Sequence, residues 1–419
     1  NIPGRIGWKA ISRLAAILEP ALLAVMLAAF WQPSPQRDPW LALLLLLPPL
    51  WAARAASGER WRPDTPLDGL LLAFAALGVL NVAAAPYTRG LLMLGRPLLG
   101  MALVVYFAAL ARQERSAALL SATVGLALGL AVAALGATQW NIKAEPFYWL
   151  VERLPDLTGL PGLAGGFNAN EIGGALSLLL PPAAALTVAR SGSKRLRAGA
   201  ALAFSLLMLA LLLGQSRLAF LGSVAGLALV VRLLIPPGRG RCLAWAGLIA
   251  VCLLEAAIIL RPLDAADRLR LRDRDEASFS QRIGIWGSAA AILRDYPLTG
   301  VGMGMFRAAP VRARYPAAGY ENRVLPHAHN AWLQIGSDLG LPGLAIFTGW
   351  YAAAGWMLRR GCRRDGLARA AAVGVAGGLL AHAIFSLGDA IPLWDRLGFV
   401  FWWVLALAAA LFNRPDDGP

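Results

Sequence analysis

Pro326-His327-Ala328-His329-Asn330 stands directly before an almost unbroken apolar run, Ala331 through Leu358. Crossing a hydrocarbon core takes about 17 to 25 predominantly apolar residues, so this run is long enough to span. A span must be helical, because lipid cannot satisfy the backbone of an open strand. That reading decides the fold, since runs of the same kind recur along the chain. Twelve spans are expected, over 15–31, 39–53, 68–84, 97–111, 117–137, 170–189, 198–214, 218–235, 243–260, 337–358, 368–387 and 397–413. Composition agrees: of 419 residues 58% are hydrophobic and only 15% charged, with mean hydropathy +0.59. A soluble domain carries about 25% charged residues. The expected fold class is an all-α polytopic membrane protein.

Lysine and arginine collect in the connections on the cytoplasmic side of a membrane. With the N-terminus placed inside, the inner segments hold the denser clusters, such as Arg190, Lys194, Arg195 and Arg197, and Arg359, Arg360, Arg363, Arg364 and Arg369. The short outer segments hold scattered positives: Arg37, Arg89, Arg96, Lys143, Arg153, Arg217 and Arg396. Both termini are therefore expected in the cytoplasm and the histidine pair outside. Three parts follow: nine spans with short loops over 1–260, a long outer segment over 261–329, and three spans over 330–419. The net charge of +15 is accounted for by this topology, and no nucleic-acid partner is expected. Cys242, Cys252 and Cys362 fall on spans or the inner side and offer neither an outer disulfide nor metal-ligand spacing. No cleavable signal peptide is evident.

The chain has three histidines, two of them in the quoted stretch. Histidine can take and return a proton near neutral pH, so a pair at the mouth of a span is a candidate site. The plainer reading is a loop histidine capping the next helix, with Asn330 as a turn residue. Other polar groups face outward with it. Asn170 is placed to cap span six and Glu171 suits its positive end. Arg217 lies in the tight turn Gly214-Gln215-Ser216-Arg217, either snorkelling to headgroups or meeting an anion in an outward cavity. In the long segment, Ile283, Trp286, Ala290 and Leu293 repeat at helical spacing, and Pro297 ends that helix. The glycines of Gly300-Val301-Gly302-Met303-Gly304 lack a preceding strand, and are expected to form a tight bend rather than a nucleotide loop. Asp273-Arg274-Asp275-Glu276 is read as a solvated helix start rather than a cation site, and His382 as a buried, hydrogen-bonded histidine.

Four stretches fall into one pattern: Gln215-Ser216-Arg217-Leu218-Ala219-Phe220, Gln281-Arg282-Ile283-Gly284-Ile285-Trp286, Pro297-Leu298-Thr299-Gly300-Val301-Gly302, and His327-Ala328-His329-Asn330-Ala331-Trp332-Leu333-Gln334. The pattern resembles the O-antigen ligase/polymerase superfamily of bacterial membrane proteins, and within it an O-antigen ligase. Phe167-Asn168-Ala169-Asn170 also fits, although relatives often have proline where this chain has Ala169. The resemblance covers about 165–345. It implies a GT-C-like architecture in the Gram-negative inner membrane with a periplasmic site. The implied reaction moves a glycan from undecaprenyl diphosphate to a sugar hydroxyl of lipid A–core, without metal, nucleotide or other cofactor. The family pattern sets the key histidine beside asparagine, so it implies His329 as general base, with His327 second. Arg217 and Arg282 suit the lipid diphosphate, since the guanidinium fork meets phosphate oxygens with paired, charge-assisted hydrogen bonds. Asn170, Asn330 and Asp338 are the supporting candidates, Asp338 being the alternative base.

Three other readings stay open. An O-antigen polymerase uses the same donor with a lipid-linked acceptor. A protein O-oligosaccharyltransferase usually carries a further long outer region near its C-terminus, and here the last two spans lie close together. A transporter of twelve spans would show paired, broken helices in two matching halves, which the sequence lacks.

Overall fold

The computed structural model describes residues 4–32, 38–56, 62–84, 89–112, 115–140, 147–259, 282–318 and 325–412. Each of the twelve apolar segments is helical. In chain order these are α1 (Gly4–Trp31), a 3-10 helix (Asp38–Leu46) running into α2 (Leu47–Ala56), α3 (Asp68–Ala84), α4 (Arg89–Arg112) and α5 (Ser116–Ala137). After a short α6 (Tyr148–Val151) come α7 (Ala169–Val188), α8 (Lys194–Gly214), α9 (Arg217–Leu234) and α10 (Arg239–Ile259). The chain ends in α13 (Ala331–Gly361), α14 (Gly366–Phe385) and α15 (Gly398–Phe412). Among the described residues, nine helices are long and apolar enough to cross a membrane. Three expected spans fall outside that set: α3 and α15 are shorter, and α13 is interrupted at Gly340, where φ is 69° and ψ −168°.

Arg96, assigned above to an outer connection, proves to be internal, and so is Arg54. Arg96 sits inside α4, which begins before the expected span, and donates to the carbonyls of Phe30, Gln32 and Trp394 at 2.7, 2.9 and 2.8 Å. It thereby satisfies the orphan carbonyls at the end of α1. Arg54 is buried in α2 against Glu19 of α1. A charge inside an apolar layer is costly unless paired, and each of these two is paired or saturated.

The helices nearest the site pack through small residues, as lipid-embedded helices do. A Cβ at Gly222 of α9 would lie 2.3 Å from the carbonyl oxygen of Ala381 in α14, and one at Gly378 of α14 would lie 2.2 Å from that of Leu178 in α7. So α14 lies against both α7 and α9 with backbones almost touching. His382 is buried there and pairs with Tyr351 Oη at 2.6 Å.

Over the histidine-bearing end lies a cap built from α11 (282–295), a 3-10 turn (Met305–Arg307) and α12 (Ala309–Arg314). Its core is Ile285, Ala289, Ile292, Phe306, Tyr315, Ala317, Leu325 and Ala328. The inward face of α11 is thus Ile285, Ala289 and Ile292, not the expected Ile283, Trp286, Ala290 and Leu293. Ile283 is 53% exposed, and Trp286 sits at the rim, where its indole N–H has a partner described below. Burying each isoleucine contributes about 1.5–3 kcal/mol. The Asp273–Glu276 stretch lies outside the described residues.

The glycine-rich bend wraps the start of α13. Val301 and Gly302 donate to the carbonyls of Ser337 and Asp338 at 2.9 and 3.0 Å. Gly304 and Phe306 donate to the Asp338 carboxylate at 3.2 and 3.4 Å. Gly300, at φ 61°, leaves no room for a side chain: its Cβ would meet the backbone of Asp338 at 2.3 Å. The bend therefore brings backbone close to protein, anchoring the cap to α13.

Candidate functional site

The stretch 326–330 distributes its side chains in three directions. Ala328, fully buried, enters the core of the cap, and its N–H donates to Gln334 Oε1 at 2.6 Å. Gln334 in turn donates to Asp338 Oδ2 at 2.8 Å, linking this turn to the glycine bend. His327 turns inward, only 2% exposed, with Nε2 3.0 Å from Glu171 Oε1. His329 stays 24% exposed, its Nδ1 3.1 Å from Asp389 Oδ1. The two imidazoles lie with centroids 4.3 Å apart.

His329 has a φ of 47°, a left-handed conformation that costs a non-glycine residue about 1–3 kcal/mol. Two hydrogen bonds hold it there. Its N–H donates to His327 Nδ1 at 3.1 Å, and Trp286 Nε1–H donates to its carbonyl at 3.1 Å. The capping role falls to Asn330, whose Oδ1 accepts from Leu333 N–H at 3.0 Å and whose Nδ2 donates to Leu387 O at 2.9 Å. With Ala331 N–H on Ser386 O at 3.0 Å, the start of α13 docks on the end of α14. That docking delivers Asp389 to the histidines.

Asp389 is the hub. Its side chain is 4% exposed; Oδ1 accepts from Ala390 N–H at 2.9 Å and faces His329, while Oδ2 lies 3.4 Å from Arg282 Nη2. Burial pushes its carboxyl up. The His329 hydrogen bond, with the charges of His329, His327 and Arg282, outweighs that and holds it down at about 2. Ionised Asp389 therefore accepts the Nδ1 proton of His329 and leaves Nε2 as the basic nitrogen. At His327 burial acts to lower the pKa. Glu171, through its hydrogen bond and its charge, together with Asp389 and Asp395, overcomes it and raises the value.

The remaining candidates separate. Arg282 is in direct contact with the cluster. Arg217 is the exposed first residue of α9; the next side chain, Leu218, meets Gly388 beside Asp389, and Arg282 Nη1 reaches the same glycine. Ser216 packs on Gly173 of α7. The N-termini of α7, α9 and α13 consequently meet around the histidines, and their dipoles favour an anion. Asp338 is completely buried under the glycine bend, out of reach of a substrate. Asn170 does not cap α7: Asn168 does, accepting from the N–H groups of Asn170 and Glu171 at 2.9 and 3.4 Å. The cap lies two residues earlier because the chain is already extended at Asn168, paired with Gln139 in a two-residue parallel ladder.

Glu171 and Asp389 were not picked out as partners of the histidines by sequence reasoning. Glu171 had a sufficient local explanation at a helix start, and Asp389 is one of two acids, with Asp395, in the connection after span eleven, with nothing local to tie it to the histidines. His327, His329 and Asp389 each offer one ligand atom, all within 4.8 Å of one another. However, His327 Nδ1 is occupied by the His329 N–H and Asp389 is shared with a guanidinium, an arrangement suited to moving a proton.

A family model described as O-antigen ligase matches residues 202–348. The matched stretch holds Arg217, Arg282, His327, His329 and Asp338, while Glu171 and Asp389 lie beyond its ends. The match supports a place for the chain in the O-antigen ligase superfamily and a ligase/polymerase type of function, with lipid bilayer and lipid-linked glycan as its surroundings and substrate class. Together with the apolar helices it indicates a multi-pass membrane protein. No curated protein matches the chain.

Proposed function

From that match and this geometry, we propose that the protein is an O-antigen ligase of the Gram-negative inner membrane, with both termini cytoplasmic and the histidines periplasmic. It transfers a glycan from undecaprenyl diphosphate to a sugar hydroxyl of lipid A–core. The observation that carries the reading is the chain of contacts Arg282–Asp389–His329, which joins an anion-binding cation to a proton acceptor through one carboxylate.

His329 Nε2 takes the proton of the acceptor hydroxyl as its oxygen attacks the anomeric carbon. The bond from that carbon to the diphosphate oxygen breaks, and the lipid diphosphate leaves with the electron pair. Asp389 fixes the imidazole tautomer and stabilises the imidazolium that forms, the role a buried carboxylate plays beside other catalytic histidines. Arg217 and Arg282, with three helix N-termini behind them, offset the charge growing on the leaving group. Direct displacement inverts the anomeric centre. Within the 261–329 segment, residues 282–318 and 325–329 cover this outward site and carry part of it, between helices 1–260 and 330–419.

Reconstitution tests the reading. The purified protein in liposomes, given lipid-linked glycan and lipid A–core, should yield the joined product on a gel. Product formed only when the acceptor is a second lipid-linked glycan would make it a polymerase, and solute uptake without transfer would make it a transporter.

A further inference from the structure

A cavity of about 420 Å³ opens in the outer loop between α5 and α7, within the size range of small-ligand sites. Its rim includes Gln139, Trp140, Asp156, Thr158 and Gly165. Asp156 Oδ1 accepts from both the N–H and the hydroxyl of Thr158, at 2.9 and 2.6 Å, so neither of these bonds uses Oδ2. Gln139 Nε2 donates to Gly165 O at 2.9 Å, leaving its amide oxygen as an acceptor. Trp140 adds a half-buried ring.

The cavity is fixed to the histidine cluster from two sides. Gln139 pairs with Asn168, the cap of the helix whose first turn carries Glu171. Arg396, in the same connection as Asp389, donates to the carbonyls of Gly162 and Gly166 at 2.7 Å each. Among the described lining residues Asp156 is the one charged group. A carboxylate with no cation beside it among the described lining residues repels phosphate and diphosphate. Oriented acceptors beside an aromatic face suit a ring that is apolar on one side and rich in hydroxyl donors at its edge.

We propose that this cavity is a subsite for a sugar ring of the glycans being joined. The inference rests on the transferase reading for its ligand's identity. Donor glycan and acceptor core share the chemistry, and kinetics separates them. In nanodiscs carrying the full chain, Trp140→Ala, which removes the aromatic face, and Asp156→Asn, which removes a charge-assisted hydrogen bond, should each raise KM for one glycan substrate about tenfold. The other substrate is held saturating, and kcat should stay within about twofold. A rise confined to the donor seats the donor glycan here, and one confined to the acceptor seats the core sugar. Trp149→Ala, exposed on α6 outside the cavity, should change neither KM.

A second measurement needs no turnover. Saturation-transfer NMR of glycan cleaved from the donor, and of dephosphorylated core oligosaccharide, is run against His329→Gln protein. One of the two should bind, and Trp140→Ala should weaken that binding about tenfold. If the wild type transfers glycan while both cavity variants keep KM and NMR signal, the subsite is wrong. Displacement of the signal by phosphatidylglycerol bicelles would reassign the cavity to a lipid headgroup and also overturn it. If the wild type transfers nothing, the transferase reading fails, and the NMR still decides whether the cavity holds sugar.

Discussion

Asp389 Oδ1 stands 3.1 Å from His329 Nδ1, across the junction where the start of α13 meets the end of α14. The contact turns a histidine beside a membrane helix into an oriented base. Asp389→Asn keeps the size and presents an amide. Its oxygen keeps the Ala390 N–H, but the imidazolium that forms at His329 loses the negative charge that stabilises it. Transfer should fall about 10²- to 10⁴-fold with donor binding retained. A loss below about threefold would remove Asp389 from the mechanism.

Arg282→Lys and Arg217→Lys keep the charge and lose the planar fork. Each should raise KM for the lipid-linked donor and lower kcat at limiting donor. Arg282→Lys should be the more damaging, because Arg282 also bears on Asp389. Normal donor kinetics in both variants would exclude the diphosphate clamp.

Glu171 is among the groups that lift the His327 pKa above the ordinary histidine value. Glu171→Gln should therefore move the His327 titration, followed by NMR of labelled imidazole, to lower pH. The sign for stability follows. A raised folded pKa contributes stability fully present below the unfolded histidine value, about 6.5, and lost as pH rises through the raised one. The Tm gap between wild type and Glu171→Gln should be widest in mild acid and close in alkali. A gap that widens with pH would contradict the assignment.

Gly300 tests the anchor of the cap. At φ 61° and with Asp338 backbone 2.3 Å from a would-be Cβ, Gly300→Ala is strained by conformation and by contact. It should cost more than the 1–3 kcal/mol of a left-handed non-glycine residue, seen as a lowered Tm or protease sensitivity in 282–318. Gly165, at φ 77° but with open space around it, is the milder comparison. Equal behaviour of the two alanine variants would show that the bend does not hold the cap.

Much of this architecture was legible because membrane spans advertise themselves. A helix in lipid must be apolar over its whole length, so all twelve segments stood out, as did the histidine pair at a span's mouth and an arginine on the overlying helix. The exact span count did not follow. Gly340 breaks α13 through its φ, which composition does not register, and α3 and α15 are short. The inward face of α11 was misread by a fraction of a turn, because Trp286 reads as core by composition while its N–H seeks the His329 carbonyl. Glu171 and Asp389 were hidden for a different reason. Their partners are set by glycine-mediated packing of α7, α9 and α14, contacts between residues far apart in sequence. Asn168 rather than Asn170 caps α7 because a strand pairing with Gln139 fixes where the helix starts.

The central claim is that His329 is a base and not a structural turn residue. Asn330 already caps α13, so His329→Gln, which keeps a hydrogen-bonding side chain without basicity, should fold, insert and bind donor as the wild type does. The decisive measurement is donor affinity and transfer rate in one preparation of that variant. An unchanged donor Kd with transfer reduced about 10²- to 10⁴-fold is the predicted result. Near-normal transfer would contradict it and assign proton abstraction to another group.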